Sequence, residues 1–179
     1  MALEDYDFVR YDEAQMAHIQ EHIEGKSTLG SHFRRDAFPN AKALIDFACE
    51  QVREYNGKRT IVEFDLDREI GYDSLVSLQE LDSRVQVTKE PRGRSGYLVN
   101  VVTGVEKKPT RHIVIVAGPL KQESKHGFYT IFPGINAPPL PATREQLLSM
   151  GYKDEELEKA VELNKQYEDF WAKHAFVKD

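Results

Sequence analysis

One stretch, Arg111 to Gly134, constrains this fold more than any other: RHIVIVAGPLKQESKHGFYTIFPG. Two apolar runs, His112–Val116 and Phe128–Phe132, flank a polar link that carries Gly118, Pro119 and Gly127. The runs are rich in β-branched and aromatic residues and are bounded by chain breakers, so each reads as a strand. The link is long for a hairpin, yet the two strands can still pair antiparallel. Two of the six histidines, His112 and His126, stand at the starts of these runs. This stretch is where the centre of a sheet and any chemistry are expected.

The elements around it are legible in order. Glu13 to Glu24 places Met16, Ile19 and Ile23 at helical spacing, with Asp12 as cap and Gly25 as stop. Residues 26–38 form a polar connection dotted with aromatics. Pro39 and Asn40 open a helix expected to run to about Tyr55, with Ala43, Leu44, Phe47, Ala48 and Val52 on its apolar face. Arg59 to Leu66 alternates as a strand, and Ser74–Leu78 is a weaker strand or a short turn of helix. Arg84–Lys89 and Tyr97–Val102 flank a breaker-rich loop and suggest a hairpin. Gly134 to Pro141 carries three prolines and is expected to be irregular or polyproline-like. Thr143 caps a short helix, and Asp154 is expected to cap a longer one that runs to about Lys173, with Leu157, Val161, Tyr167, Phe170 and Trp171 along its apolar stripe.

Helices, then strands joined without room for crossover helices, then helices again imply an α+β fold with a mainly antiparallel sheet. The 179 residues read as a single domain, divided into a helical part (1–57), a sheet (58–134), a Pro-rich segment (135–142) and C-terminal helices (143–179).

Composition excludes several classes of function. Cys49 is the only cysteine, so a disulfide framework and a cysteine-rich zinc site are excluded, and this thiol reads as a small core residue. No apolar run approaches the roughly 20 residues of a spanning helix, and the acidic start MALEDYDF is unlike a signal peptide. No membrane association and a cytoplasmic location are therefore expected; a product delivered by a dedicated secretion machine would look the same. GxGxxG and Walker patterns are absent, so no nucleotide cofactor is expected. The net charge of −6 is uneven: residues 1–25 carry −6, residues 26–130 carry +3 and residues 131–179 carry −3. A mildly basic middle between acidic ends reads either as solvated helix faces at both ends or as a middle that meets phosphate. Overall acidity argues against tight binding to duplex DNA.

Four clusters carry candidate chemistry. His18-Ile-Gln-Glu-His22 fits the H-x-x-E-H pattern of inverted zinc peptidases, but no third ligand is marked out. These histidines are read as solvated surface residues, and no metal is expected. Gly30 to Arg35, GSHFRR, sets His32 and Arg34 beside small residues. Arginine suits bidentate phosphate contact, and histidine moves a proton near neutral pH; a polar loop with its arginines paired to Asp36 explains the same residues. Arg92 and Arg94 at the hairpin tip suit contact with an RNA backbone, as ordinary exposed turn residues also would. Lys125 to Gly134, KHGFYTIFPG, is the most specific stretch. Strict alternation places His126, Phe128, Thr130 and Phe132 on one face, with Tyr129 and Ile131 on the other. His126 and Thr130 then bracket a phosphate, and Tyr129 is assigned to substrate contact; a core strand with a polar start is the alternative.

The order of elements over residues 12–133, together with HGFYTIFPG before a Pro-Gly turn, resembles the metal-independent ribonuclease superfamily that includes barnase, the colicin ribonucleases, EndoU-type toxins and RelE-like toxins. The resemblance implies N-terminal helices before an antiparallel sheet of four or five strands. It also implies cleavage of RNA by attack of a 2′-OH on the adjacent phosphate, with no cofactor. On the matching strand it implies His126 and Thr130 as active residues. His32 as the partner acid or base, and Arg34, Arg92 and Arg94 as phosphate contacts, are added from the residues themselves. RNA is the expected partner, with a protein inhibitor as a further one. The rival reading is a non-catalytic partner-binding module, such as an immunity or phage accessory protein, anchored by Phe170, Trp171 and Phe176 on a C-terminal amphipathic helix.

Overall fold

The computed structural model describes residues 3–25, 30–122 and 124–178. Residues 26–29 of the connection after the first helix, and Glu123 of the link between the two opening strands, lie outside them. The chain divides into two compact units: residues 1–74 with 107–136, and residues 75–106 with 137–179.

In the first unit, helix α1 (Glu13–Glu24) starts where the sequence places it. The Asp12 carboxylate accepts the Gln15 N–H at 3.2 Å, and Gly25 ends the helix in the left-handed region at φ 65°. Helix α2 (Ala41–Gln51) is capped by Asn40, whose side chain accepts the Ala43 N–H at 2.9 Å. It ends four residues short of Tyr55, and Val52 and Tyr55, beyond its last turn, are both buried in the same core. Both helices pack on one face of a sheet whose strands are ordered β1 (Phe8–Val9), β10 (His126–Pro133), β9 (His112–Pro119) and β3 (Thr60–Asp65). Strands β3, β9 and β10 are antiparallel, and β1 adds in parallel at the edge. Ile113, Ile115 and Ala117 of β9 and Phe128 and Ile131 of β10 are buried with Ile19, Ile23, Leu44 and Ile45 of the helices. Burying each of these large side chains is worth about 1.5–3 kcal/mol.

Strand β10 departs from strict alternation. Phe128 pairs with Ala117 but Thr130 pairs with Val116, so Tyr129 is an extra residue, a β-bulge. Ala117 points into the core, whereas Val116 and Gly118 share the opposite face. Thr130 therefore lies opposite Phe128, and the Tyr129 ring lies over Gly118, where an added Cβ would fall 2.7 Å from its hydroxyl. The bulge corrects the sequence reading: His126 and Phe128 do not share a face with Thr130, and Tyr129 does.

A small sheet of β2 (His32–Phe33), β4 (Gly71–Asp73) and β8 (Lys108–Thr110) completes this unit, all antiparallel. Gly71 allows it to close, since a Cβ there would stand 2.4 Å from the His32 carbonyl oxygen and 2.9 Å from Pro133.

The second unit is a sheet ordered β5 (Leu75–Ser77), β11 (His174–Lys178), β7 (Tyr97–Thr103) and β6 (Val87–Arg92), with helices α3 (Arg144–Ser149) and α4 (Asp154–Lys173). The β6–β7 hairpin turns through Gly93 and Gly96 at φ 69° and 66°, as the breaker-rich loop implies. Thr143 and Gln146 form a capping box on α3. Asp154 is the first residue of α4 rather than its cap, which is Lys153; three acids in the first turn still favour the positive helix end. Helix α4 buries Leu157 and Trp171, and Val161 and Phe170 are half-buried.

Helix α4 ends at Lys173, where the sequence reading ends it. Phe176, expected on that helix as a partner anchor, is not on it: His174–Lys178 inserts as β11, antiparallel to β5 and parallel to β7. The fold is α+β with mainly antiparallel sheets. The single sheet expected over 58–134 is divided among three sheets, and residues 75–106 pair with the C-terminal segment. Among the described residues no helix is long and apolar enough to cross a membrane.

Candidate active site

Beyond its short pairing with β1, strand β10 would present a free edge, and unpaired strand edges need covering. Helix α1 covers this one with a single stripe, Gln15, His18 and His22, at the i, i+3, i+7 spacing of one helix face. The Gln15 amide, with its nitrogen turned to the strand, donates to the carbonyls of Phe128 and Tyr129 at 3.0 and 2.9 Å. One turn on, His18 Nε2 lies 3.2 Å from Thr130 Oγ1, and its Nδ1 lies 4.0 Å from a Glu21 carboxylate oxygen. A further turn brings the half-buried His22 against the Phe132 ring, and its Nδ1 sits 2.8 Å from the Ser31 carbonyl oxygen. The two imidazoles meet edge to face, 5.1 Å between centroids.

That hydrogen bond fixes a tautomer. A carbonyl only accepts, so His22 Nδ1 carries a proton and donates it, which leaves Nε2 with the lone pair whenever the ring is neutral. Burial holds the His22 pKa below 6.5, and the neighbouring His18 lowers it further, against the opposing pull of the Ser31 carbonyl and Glu21. His22 is thus a neutral base at pH 7. His18 is about half exposed, with a carboxylate on one side and a hydroxyl on the other. His32 is close enough to disfavour charge on His22; its ring stacks on Tyr72 at 5.0 Å and lies against Gly25. Three imidazoles, Thr130 and Tyr72 therefore share this end of the unit. Among the described residues no group of three or more His, Cys, Asp or Glu side chains is arranged to hold a metal ion.

The residues singled out in the sequence separate. His32 and Thr130 fall in this cluster. His126 does not: its Nδ1 is 2.6 Å from the hydroxyl of Tyr55, and Tyr6 packs against both rings. Burial raises the pKa of Tyr55, so its hydroxyl stays protonated and donates to His126. Arg34 makes a two-pronged pair with Asp36, both contacts at 3.0 Å, and a longer one with Glu69 at 3.6 Å. Arg92 and Arg94 belong to the second unit, where Arg92 lies over the Phe176 ring at 3.8 Å. Tyr129 donates its hydroxyl to the Pro119 carbonyl at 2.5 Å.

His18 and His22 are the site residues that sequence reasoning set aside as solvated. Their spacing with Gln15 on one helix face was visible; that this face lies along the edge of β10 was not.

No protein-family model, no curated protein and no solved structure matches this chain.

Proposed function

We propose that the protein is a metal-independent endoribonuclease of the toxin type, with His22 as general base and His18 as general acid. The observation that carries this reading is the pair itself: His22 held neutral with Nε2 unprotonated, beside His18 with its nitrogens toward Glu21 and Thr130. Such a pair suits transesterification at phosphorus. Nε2 of His22 takes the proton of the RNA 2′-OH, the oxygen attacks the adjacent phosphorus, and His18 gives a proton to the departing 5′-oxygen. Thr130 positions the His18 ring, and His32 with Tyr72 borders the site. The mildly basic middle of the sequence supports an RNA substrate, and the reaction is placed in the cytoplasm of whichever cell supplies it. The binding-module reading loses its anchors, because Trp171 and Phe176 are buried against each other at 5.5 Å and Phe170 stacks on His174 at 3.9 Å.

The test is incubation of the purified protein with total RNA and defined transfer RNAs in chelator, with product ends analysed for 2′,3′-cyclic phosphate. His22→Ala and His18→Ala should each lower the rate about 10²–10⁴-fold, the usual worth of a general acid or base. Absence of cleavage across RNA classes, or cleavage that survives both substitutions, overturns the proposal.

A further inference from the structure

A second feature of the first unit lies beside the imidazole pair. Between the start of α1, strand β1 and the turn after β9 is a cleft of about 620 Å³, within the 300–1,000 Å³ range of small-ligand sites. Its walls combine two kinds of side chain. Val9, Leu120 and Tyr129 supply apolar and aromatic surface, and Lys121 and Lys125 supply positive charge. Neither lysine is ion-paired to another described residue, unlike Arg34, whose charge is taken up by Asp36 and Glu69. Asp12 also lines the cleft, with its carboxylate engaged in capping α1.

The walls are held in place. The Leu120 N–H bonds the Lys125 carbonyl at 2.8 Å and closes the turn. Tyr129 is pinned over Gly118 with its hydroxyl on the Pro119 carbonyl. The cleft also has a direction. Gln15, in its wall, is one helical turn from His18, and Tyr129 directly precedes Thr130. A chain lying in the cleft therefore runs toward the two histidines.

From this geometry we infer that the cleft binds single-stranded RNA next to the scissile phosphate, with backbone phosphates at Lys121 and Lys125 and a base against Tyr129. The inference rests on the proposed ribonuclease reading and names its substrate-binding path. Positive side chains beside an aromatic surface are how single strands are held without base-specific readout.

Binding is measured by fluorescence anisotropy with a labelled 2′-O-methyl hexanucleotide, which has no 2′-OH to attack and so reports binding without cleavage. Wild type is compared with a Lys121→Gln/Lys125→Gln double variant and with a Lys159→Gln/Lys165→Gln double variant that removes the same charge from α4. The cleft variant should bind about tenfold more weakly, with a salt slope shallower by about 1.4, two single-strand contacts at about 0.7 each. The α4 variant should match wild type. Gly118→Ala, which displaces the Tyr129 ring, should weaken binding with an unchanged salt slope, and its melting curve reports whether the fold is kept. Equal loss in both double variants, unchanged affinity in the cleft variant, or no binding by wild type overturns the inference. The two readings fail separately. RNA cleavage that is indifferent to Lys121→Gln/Lys125→Gln sinks the cleft and leaves the ribonuclease. Probe binding lost in that variant, with no RNA cleaved by wild type, sinks the ribonuclease and leaves the cleft.

Discussion

At the scale of single residues, His22 and His126 show how one side-chain type takes opposite roles. His22 is pushed toward its neutral form by burial, and this has a thermodynamic consequence. An unfolded histidine titrates near 6.5, and the folded pKa lies lower, so the unfolded chain takes up more protons as pH falls. The stability that follows is whole above pH 6.5 and is lost as pH drops through the lower folded value. His22→Asn keeps a side-chain N–H near the Ser31 carbonyl without a titrating ring. Its thermal melts between pH 5 and 8 should fall less steeply on the acid side than those of wild type; identical acid slopes would remove His22 from this role. His126, by contrast, completes a buried hydrogen bond. His126→Ala leaves the Tyr55 hydroxyl buried without its acceptor, a loss of about 1–3 kcal/mol. Tyr55→Phe in the same chain should recover part of that loss. Denaturant unfolding of the two single variants and the double variant measures the coupling, and strict additivity would deny it.

At the scale of elements, the bulge in β10 and the helix on its edge together make the candidate site. Without the extra residue Tyr129, Thr130 would turn toward the core and away from His18. In the second unit, a comparable junction joins α4 to β11. The Asn100 amide, buried on β7, donates to the carbonyls of Trp171 and His174 at 3.1 and 3.2 Å, where the helix becomes a strand. Last-turn carbonyls of a helix lack partners within it, and Asn100 supplies one. Asn100→Leu fills similar space without donors and should cost about 1–3 kcal/mol. Chemical denaturation checks this, and an unchanged midpoint would show that the two carbonyls are satisfied in another way.

At the scale of the whole molecule, each unit is assembled from two separated segments. The sheet of the second unit needs both, because β11 lies between β5 and β7. A chain ending at Asn136 keeps β5, β6 and β7 but loses the strand between them, together with the Val76, Val102, Ala175 and Val177 cluster. Such a truncation exposes strand edges and apolar surface and should be insoluble or bind hydrophobic dyes. A soluble truncation with native-like amide protection in residues 75–103 would show that β11 is dispensable.

By itself, the sequence determined what depends on neighbours along the chain. Asp12 and Gly25 bounded α1, Asn40 opened α2, Thr143 opened α3, and the alternation of Arg59–Leu66 gave β3, because caps and apolar periodicity act within a few residues. The α+β class followed from the order of those elements. Tertiary structure alone decided three things. His174–Lys178 became a strand through pairing with β5 and β7, whose sequence positions are remote from it. The bulge at Tyr129 turned Thr130 away from His126, because register is set by the partner strand β9. Helix α1, laid along the edge of β10, turned two histidines that read as solvated into a half-buried ring held toward its neutral form and a more exposed neighbour, because burial and the charges around a ring belong to the packing and not to the ring.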